Sequence, residues 1–473
     1  MSTSKKILGM ALIALGLSPG LIAQEPAEQE ERTAPPVAAI AAEDNTPPAE
    51  EARPDTRPVT GLLPLTLGSF GTERSFLAPS FQLFQAADSN PGLSNGQNAG
   101  TANGQTDVTP ATTVSAHALL EQMWRQSQFS LNYTGGATIY AGQSNLNTMF
   151  QTAHLLQSFQ FRRWTLILTD DATYTPESTF GFSGLTTSGA PSIVSGTTPN
   201  QTILTHQTDQ VTNLALAQAN YILNSQSSLT VAANFGLQRF TEGAFLNSNQ
   251  GGIQVGYNYG LNPRDSFGIS YGFSLVRYPG LAANALAATA PNLDSHTVQL
   301  VYGRKITGRL ALRVSAGPQI YQISVPTVGT STQATWLAQS ALVYRFRRGQ
   351  LEASYGHSVN AGAGVLALAR TDQVQGLFTT RLTRTLLASV RAGYAHNNNP
   401  QPGVASTSPV FDTEFVNARV ERPLGREATG FLIYTFQHQS SSVLQCKSGV
   451  CGDLNRQIGG VGLDWHMRPL LIR

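Results

Sequence analysis

Apolar and polar residues alternate one for one over long stretches of the second half of the chain. Across 267–278, Phe267, Ile269, Tyr271, Phe273 and Leu275 fall on one parity, and Gly268, Ser270, Gly272 and Ser274 fall on the other. A repeat of two places successive side chains on opposite faces of a strand. Here one face is aromatic and aliphatic, and the other is small and polar. A soluble sandwich turns its apolar face toward a core. A barrel in a membrane turns it toward lipid and lines water with the small polar set.

The same alternation marks strands near 127–141, 146–161, 164–174, 204–223, 228–241, 251–261, 267–278 and 294–305. It continues near 309–322, 332–346, 350–359, 367–381, 385–396, 411–423, 427–438 and 455–467. The pattern predicts an all-β fold, an antiparallel transmembrane β-barrel of about sixteen strands over residues 126–473. Short links fall at 162–164, 224–227, 262–265, 307–309, 347–350, 383–385 and 425–427, several of them rich in Gly, Pro, Asn or Asp. The longest gaps are 175–203, 279–293, 397–410 and 439–454. Short periplasmic turns facing long outer loops are the asymmetry of outer-membrane barrels. An even strand count then returns both chain ends to the periplasm. Arginines gather at the short turns, among them Arg162, Arg264, Arg347 and Arg426, where they either meet lipid phosphates or stay solvated.

Composition agrees with a lipid-facing exterior. Charged residues make up 12% of the chain, against about 25% in a soluble domain. The mean hydropathy is −0.12, and after residue 30 no run approaches the roughly 20 apolar residues that a membrane helix needs. A net charge of +2 gives no reason to expect a nucleic-acid partner.

The start of the chain reads as an export signal over residues 1–23. Lys5 and Lys6 precede the apolar stretch "ILGMALIALGLSPGLIA", which ends at Ala23. An uncleaved anchor helix is disfavoured by Pro19 and Gly20, and no Cys follows for a lipid anchor. Residues 24–125 read as a linker. The Pro-, Ala- and Glu-rich part over 24–60 buries too little apolar surface to offset its ordering entropy, so a disordered periplasmic extension is expected. It is either a plain spacer or a contact for a periplasmic partner. Over 61–125 a lumenal plug and a segment beneath the barrel both remain open. "SAHALLEQMWRQ" (115–126) fits one short helix capped by Ser115.

Over roughly 127–473 the chain resembles bacterial outer-membrane β-barrel proteins of porin-like size. The last strand carries "GVGLDWHM", and its Gly462, Trp465 and Met467 are similar to the C-terminal assembly signal of such barrels, although "RPLLIR" trails behind it. The resemblance implies two partners, outer-membrane lipid and the barrel-assembly machinery. It names no subfamily and leaves the oligomeric state open.

Reactive chemistry is sparse. The chain has no Gly-x-Ser-x-Gly elbow, no His-Glu-x-x-His helix and no phosphate loop. Its eight His stand apart from one another and from Cys, so neither a metal nor a cofactor is expected, nor an enzyme. Lumen-facing charges are more informative. Leu310, Leu312 and Val314 face out, which turns Arg313 inward; Ala388, Val390 and Ala392 do the same for Arg391. Val416, Ala418 and Val420 leave Asn417 and Arg419 inside, and Arg345 and Glu352 share the inward parity. A charge facing lipid at mid-depth costs about 2–4 kcal/mol. These arginines either form a basic stripe that favours anions or pair with Glu352, Glu421 or Asp464. Cys446 and Cys451, in "CKSGVC", are expected to form a disulfide at the tip of the last long loop, since export favours oxidation.

About sixteen strands enclose more space than side chains fill, so passive diffusion of small hydrophilic solutes is the expected function. Two alternatives stand beside it. One is a dedicated export or uptake channel, for example for polysaccharide. The other is a structural or adhesive surface barrel.

Overall fold

Each strand forms because its two faces meet two different surroundings, and the sheet closes because no edge survives in lipid. An unpaired backbone group in a bilayer costs several kcal/mol. The computed structural model describes residues 59–62, 75–92, 108–176, 202–205, 207–241, 245–279, 291–325, 329–400, 410–442 and 452–472. The expected export signal and the Pro-rich stretch to residue 58 lie outside the described residues, as do Cys446 and Cys451.

The first strands are β1 (Phe76–Asp88), β2 (Thr109–Met123), β3 (Ser127–Tyr140), β4 (Thr148–Gln160), β5 (Trp164–Thr175) and β6 (Gln210–Ile222). Next come β7 (Ser227–Phe240), β8 (Ser248–Gly260), β9 (Asp265–Arg277), β10 (Asn292–Lys305), β11 (Leu310–Val325) and β12 (Gly329–Phe346). The circuit continues with β13 (Gly349–Asn360), β14 (Ala369–Arg381), β15 (Leu387–Asn398), β16 (Phe411–Pro423), β17 (Ala428–Ser441) and β18 (Leu454–His466). A two-residue strand, β19 (Leu470–Leu471), follows. Every neighbouring pair is antiparallel, and β1 returns to β18, so the protein is a closed antiparallel barrel.

The barrel has 18 strands, two more than the alternation predicts. The additional two are β1 and β2, so the wall begins before residue 126. The helix expected over 115–126 is overturned, because 115–123 form the second part of β2 and the strand ends at Met123. Its Ala, Leu, Glu and Gln favour a helix in isolation, but β1 pairs with residues 109–121 of the strand and β3 with residues 111–123.

The outward parity is apolar. Val231, Phe235, Ile253, Tyr257, Ile269, Tyr271, Leu300 and Ile320 are all exposed on it. The inward parity of the same strands carries buried Thr230, Gln254, Asn258, Ser270, Gln299 and Gln319. Toward the long-loop end the outer face turns polar in a repeated way. On β13 and β14, Tyr355 Oη and His357 Nδ1 both reach Asp372 Oδ1, at 3.0 and 2.7 Å. On β15 and β16, Tyr394 Oη and His396 Nδ1 reach Asp412 Oδ1 at 2.6 and 2.7 Å. The Trp336 ring stacks on His357 at 4.2 Å and shields it.

The seam between the first and last strands is fastened at both ends. β1 and β18 pair from Ser80↔His466 to Asp88↔Ile458. At the long-loop end Arg456 Nε contacts both oxygens of Asp88 at 3.0 Å, and each side chain is only 2% exposed. Tyr140 Oη accepts from Arg456 at 3.2 Å. At the other end the trailing "RPLLIR" has a use: β19 pairs with Phe76 and Leu77 of β1. Pro79 sits where β1 passes from one partner to the other. It has no N–H to leave unmet, and its carbonyl accepts from Met467 N at 3.1 Å.

Candidate functional site

The lumen is the candidate site, and its wall is built from inward positions that single strands cannot reveal as neighbours. Glu352 on β13 stands across from Leu377 on β14, which stands across from Arg391 on β15. Glu352 and Arg391 therefore share one row of the wall. Arg391 and Arg345 both attract the Glu352 carboxylate, and Gln350 Nε2 donates to it. Asn417 lies directly across from Arg391 and donates to Thr435 Oγ1 at 2.7 Å. Arg419 Nε donates to Glu421 Oε2 at 2.9 Å, and its guanidinium lies 4.2 Å from the centre of the Phe431 ring. Asp464 Oδ2 is 3.7 Å from His466 Nε2. These groups thus form local mixed-charge contacts along β12–β18.

Arg313 stands apart on β11. Its neighbour is a stretch of the N-terminal segment, Val59–Leu62, that lies inside the barrel. Val59 N and Thr60 N donate to Asn258 Oδ1 at 2.9 and 2.6 Å, and Arg313 donates to the Val59 carbonyl. Asn258 is held in turn by its Nδ2, which donates to Thr230 Oγ1 at 3.0 Å. Leu62 packs with Leu216 and Ala232. The segment crosses the inner faces of β6–β11 near the short turns, so residues 61–62, left open between a plug and a place beneath the barrel, lie in the lumen, and so do 59–60, which were expected in the periplasmic extension.

A second segment enters from the long-loop end. Leu204 N donates to Gln439 Oε1 at 2.7 Å, and Gln439 Nε2 donates back to the Leu204 carbonyl at 3.3 Å. Thr202 Oγ1 donates to Asn397 Oδ1 at 2.7 Å, and Asn397 Nδ2 to the Thr202 carbonyl at 3.2 Å. Side-chain amides of the wall therefore replace a strand partner for this backbone. Around it lie buried apolar side chains. Ile203 clusters with Leu366 and Phe411, and Leu204 with Phe240, Phe245 and Leu454. Val365 packs against both clusters. The link 361–368 between β13 and β14 thus folds toward the lumen, with Leu368 fully buried.

The residues of the expected assembly signal sit at the seam. Trp465 faces outward, its ring stacked on Phe81 at 6.4 Å. Met467 is exposed beside it. Gly462 faces inward between Phe84 and Phe431, whose rings stack at 5.9 Å. A Cβ there would overlap the Phe431 ring. Several functional residues were not visible in the sequence: Asn258, Asn397, Gln439, Asp88 and Arg456. Alternation gives the inward facing of all but Asp88, whose strand it does not reveal, and nothing local gives their partners, which lie far away along the chain. Among the described residues no group of three or more His, Cys, Asp or Glu is placed to hold a metal.

No family description matches the chain, and no curated protein matches it. Solved structures similar to it include Pseudomonas aeruginosa OpdQ, with a TM-score of 0.39 and 10% identity over 84% of this chain and 98% of that one. Pseudomonas aeruginosa OccK2 (OpdF) gives a TM-score of 0.42 and 9% identity over 87% of this chain and 100% of that one. The ferric citrate transporter FecA in its unliganded form gives 0.41 and 10% over 84% and 65%.

Proposed function

We propose that this protein is an outer-membrane channel for the passive diffusion of small hydrophilic solutes, with its short turns and both chain ends in the periplasm. The observation that carries the reading is the two-faced wall of 18 strands. Its exterior is apolar and suits lipid; its interior is lined by amides, hydroxyls and mixed charges that suit water. At this circumference side chains leave room for an aqueous path. The orientation rests on the alternation of short and long connections.

A second reading is a channel that serves one solute class and is closed at rest. It is favoured by Val59–Leu62 near one end of the lumen and by 202–205 with 361–368 near the other. Planar-bilayer recording separates the two. Steady ohmic conductance from the wild type supports an open pore. Brief or solute-dependent openings support the selective channel. Silence from the wild type and from a variant lacking residues 24–62 rejects both and favours a structural barrel.

A further inference from the structure

On the outer face, near the long-loop end, two arginines are built into the wall in the same way. Arg239 of β7 and Arg277 of β9 share the outward parity of exposed Phe235 and Tyr271. Arg239 Nη1 donates to the carbonyls of Gln238 and Ser248, both at 2.9 Å, and Nη2 donates to Asn249 Oδ1 at 2.5 Å. Arg277 Nη1 donates to the carbonyls of Val276 and Leu293 at 3.0 and 2.9 Å, and Nη2 donates to Asp294 Oδ1 at 2.6 Å. Each guanidinium is therefore fixed against two strands. The difference lies in the third partner. Asp294 balances the charge of Arg277, whereas the amide of Asn249 leaves that of Arg239 unbalanced. No acid among the described residues forms an ion pair with Arg239.

The two cations flank one residue. Asn249 of β8 stands directly across from Arg277 and accepts from Arg239. A guanidinium carries five N–H donors in a fixed plane. In both arginines the contacts above leave Nε–H and one Nη2–H without a protein acceptor. Arg456 shows what Nε and Nη2 do with an anion: they hold both oxygens of Asp88, at 3.0 and 2.5 Å. Apolar surface begins one step toward the short turns, where Phe235, Gly251 and Leu275 form an outward row. Bare Gly251 leaves a notch in that row, with 3.7 Å between an added Cβ and Leu275 Cδ1. Other outward acids toward the long-loop end are already held, Asp170 by Asn213, Asp372 by His357 and Asp412 by His396. The surplus on β7–β9 is therefore positive, and it sits where the apolar surface gives way to polar groups.

We propose that Arg239, Asn249 and Arg277 bind the phosphate group of an outer-leaflet lipid headgroup, with the first methylenes of its tail lying over Gly251. The phosphate oxygens accept from the Nε–H and Nη2–H donors that the protein leaves unused, and the phosphate supplies the charge that Asn249 lacks. Backbone carbonyls already fix both side chains, so binding costs little rotamer entropy. The occupant is a lipid outside the wall and not a solute in the lumen, so the site stands or falls apart from conduction. Its place in the outer leaflet rests on the proposed orientation, which surface labelling tests separately.

The test is native mass spectrometry of the full chain in neutral detergent micelles, titrated with a phosphorylated disaccharide lipid (lipid A), with its dephosphorylated form and with inorganic phosphate. The wild type should retain lipid A and release the dephosphorylated lipid. Asn249→Asp gives Arg239 an internal counter-ion of the kind Arg277 has. It should weaken lipid A binding at least about tenfold, as should Arg239→Gln with Arg277→Gln. Arg347→Gln with Arg348→Gln removes the same charge from a short turn and should change binding less than about twofold. Folding is checked by the gel-mobility difference between unboiled and boiled samples; where the Arg239 and Arg277 double variant does not fold, Asn249→Asp decides. Unchanged affinity in folded Asn249→Asp, an equal loss in the short-turn variant, or equal retention of the dephosphorylated lipid overturns the site. Inorganic phosphate that displaces lipid A with equal affinity overturns the lipid as its occupant.

Discussion

Replacing Arg456 with Met should unfasten the seam between β1 and β18. The change leaves the Asp88 carboxylate buried, with the Tyr140 hydroxyl at 3.4 Å and the Asn90 N–H at 3.0 Å still donating to it. Removing one partner of a buried ion pair costs about 3–5 kcal/mol. Both side chains here are 2% exposed, so solvent screening does little to reduce that figure. A loss of that size lowers the folded-to-unfolded ratio by roughly a hundred- to a thousandfold or more. Asp88→Leu combined with Arg456→Met should recover most of the loss, because an apolar pair carries no stranded charge. The measurement is reversible urea unfolding in lipid vesicles for the wild type, both single variants and the double variant. The singles should each lose at least about 2 kcal/mol, with a coupling of similar size in the cycle. Additive losses, or a single variant within about 0.5 kcal/mol of the wild type, would refute the clasp as described.

Four further outcomes are expected. Trp465→Ala removes the ring that stacks on Phe81 and should slow insertion measured in vivo by pulse labelling; normal kinetics would show that the likeness to an assembly signal is accidental. Gly462→Ala should lower the unfolding midpoint by the equivalent of about 1–3 kcal/mol, because the added carbon overlaps the Phe431 ring, and Phe431→Leu in the same chain should restore part of it. Cys labels at 190, 285 and 405 should react on intact cells and those at 225, 264 and 308 should not, while Cys446 and Cys451 should resist maleimide until a reductant is added. The opposite labelling pattern reverses the orientation, and prompt maleimide reaction removes the disulfide.

Much of the wall is legible in the sequence because each strand sits between two unlike solvents. That contrast writes itself as alternation, and the sixteen segments read from it overlap β3–β18, although the strand expected over 204–223 begins only at Gln210 and Leu204 instead lies in the lumen. The first two strands escape for local reasons. Phe84 of β1 faces the lumen because it stacks on Phe431, and Pro79 interrupts the run. In β2, Leu119 lies on the inward parity and Leu120 on the outward one, which blurs the period and lets helix propensity dominate the reading. The inward facing of Arg313, Arg391 and Arg419 follows from parity alone. Their surroundings do not. The Val59 carbonyl reaches Arg313 from 254 positions away, and Gln439 takes Leu204 from 235 away. No window along the chain contains such a pair.

Tyr355, His357 and Asp372 recur as Tyr394, His396 and Asp412 one hairpin further along the wall. The repeated unit is one hairpin, out and back. Inserting or losing a single strand would invert the polarity of everything downstream and exchange loops for turns. Inserting or losing a hairpin preserves both, and the seam still meets in register. A change of strand number by whole hairpins therefore keeps the wall sealed, whereas a change by single strands does not. Since diameter grows roughly linearly with strand number, the number of hairpins sets the bore. Point substitutions then adjust only what lines it.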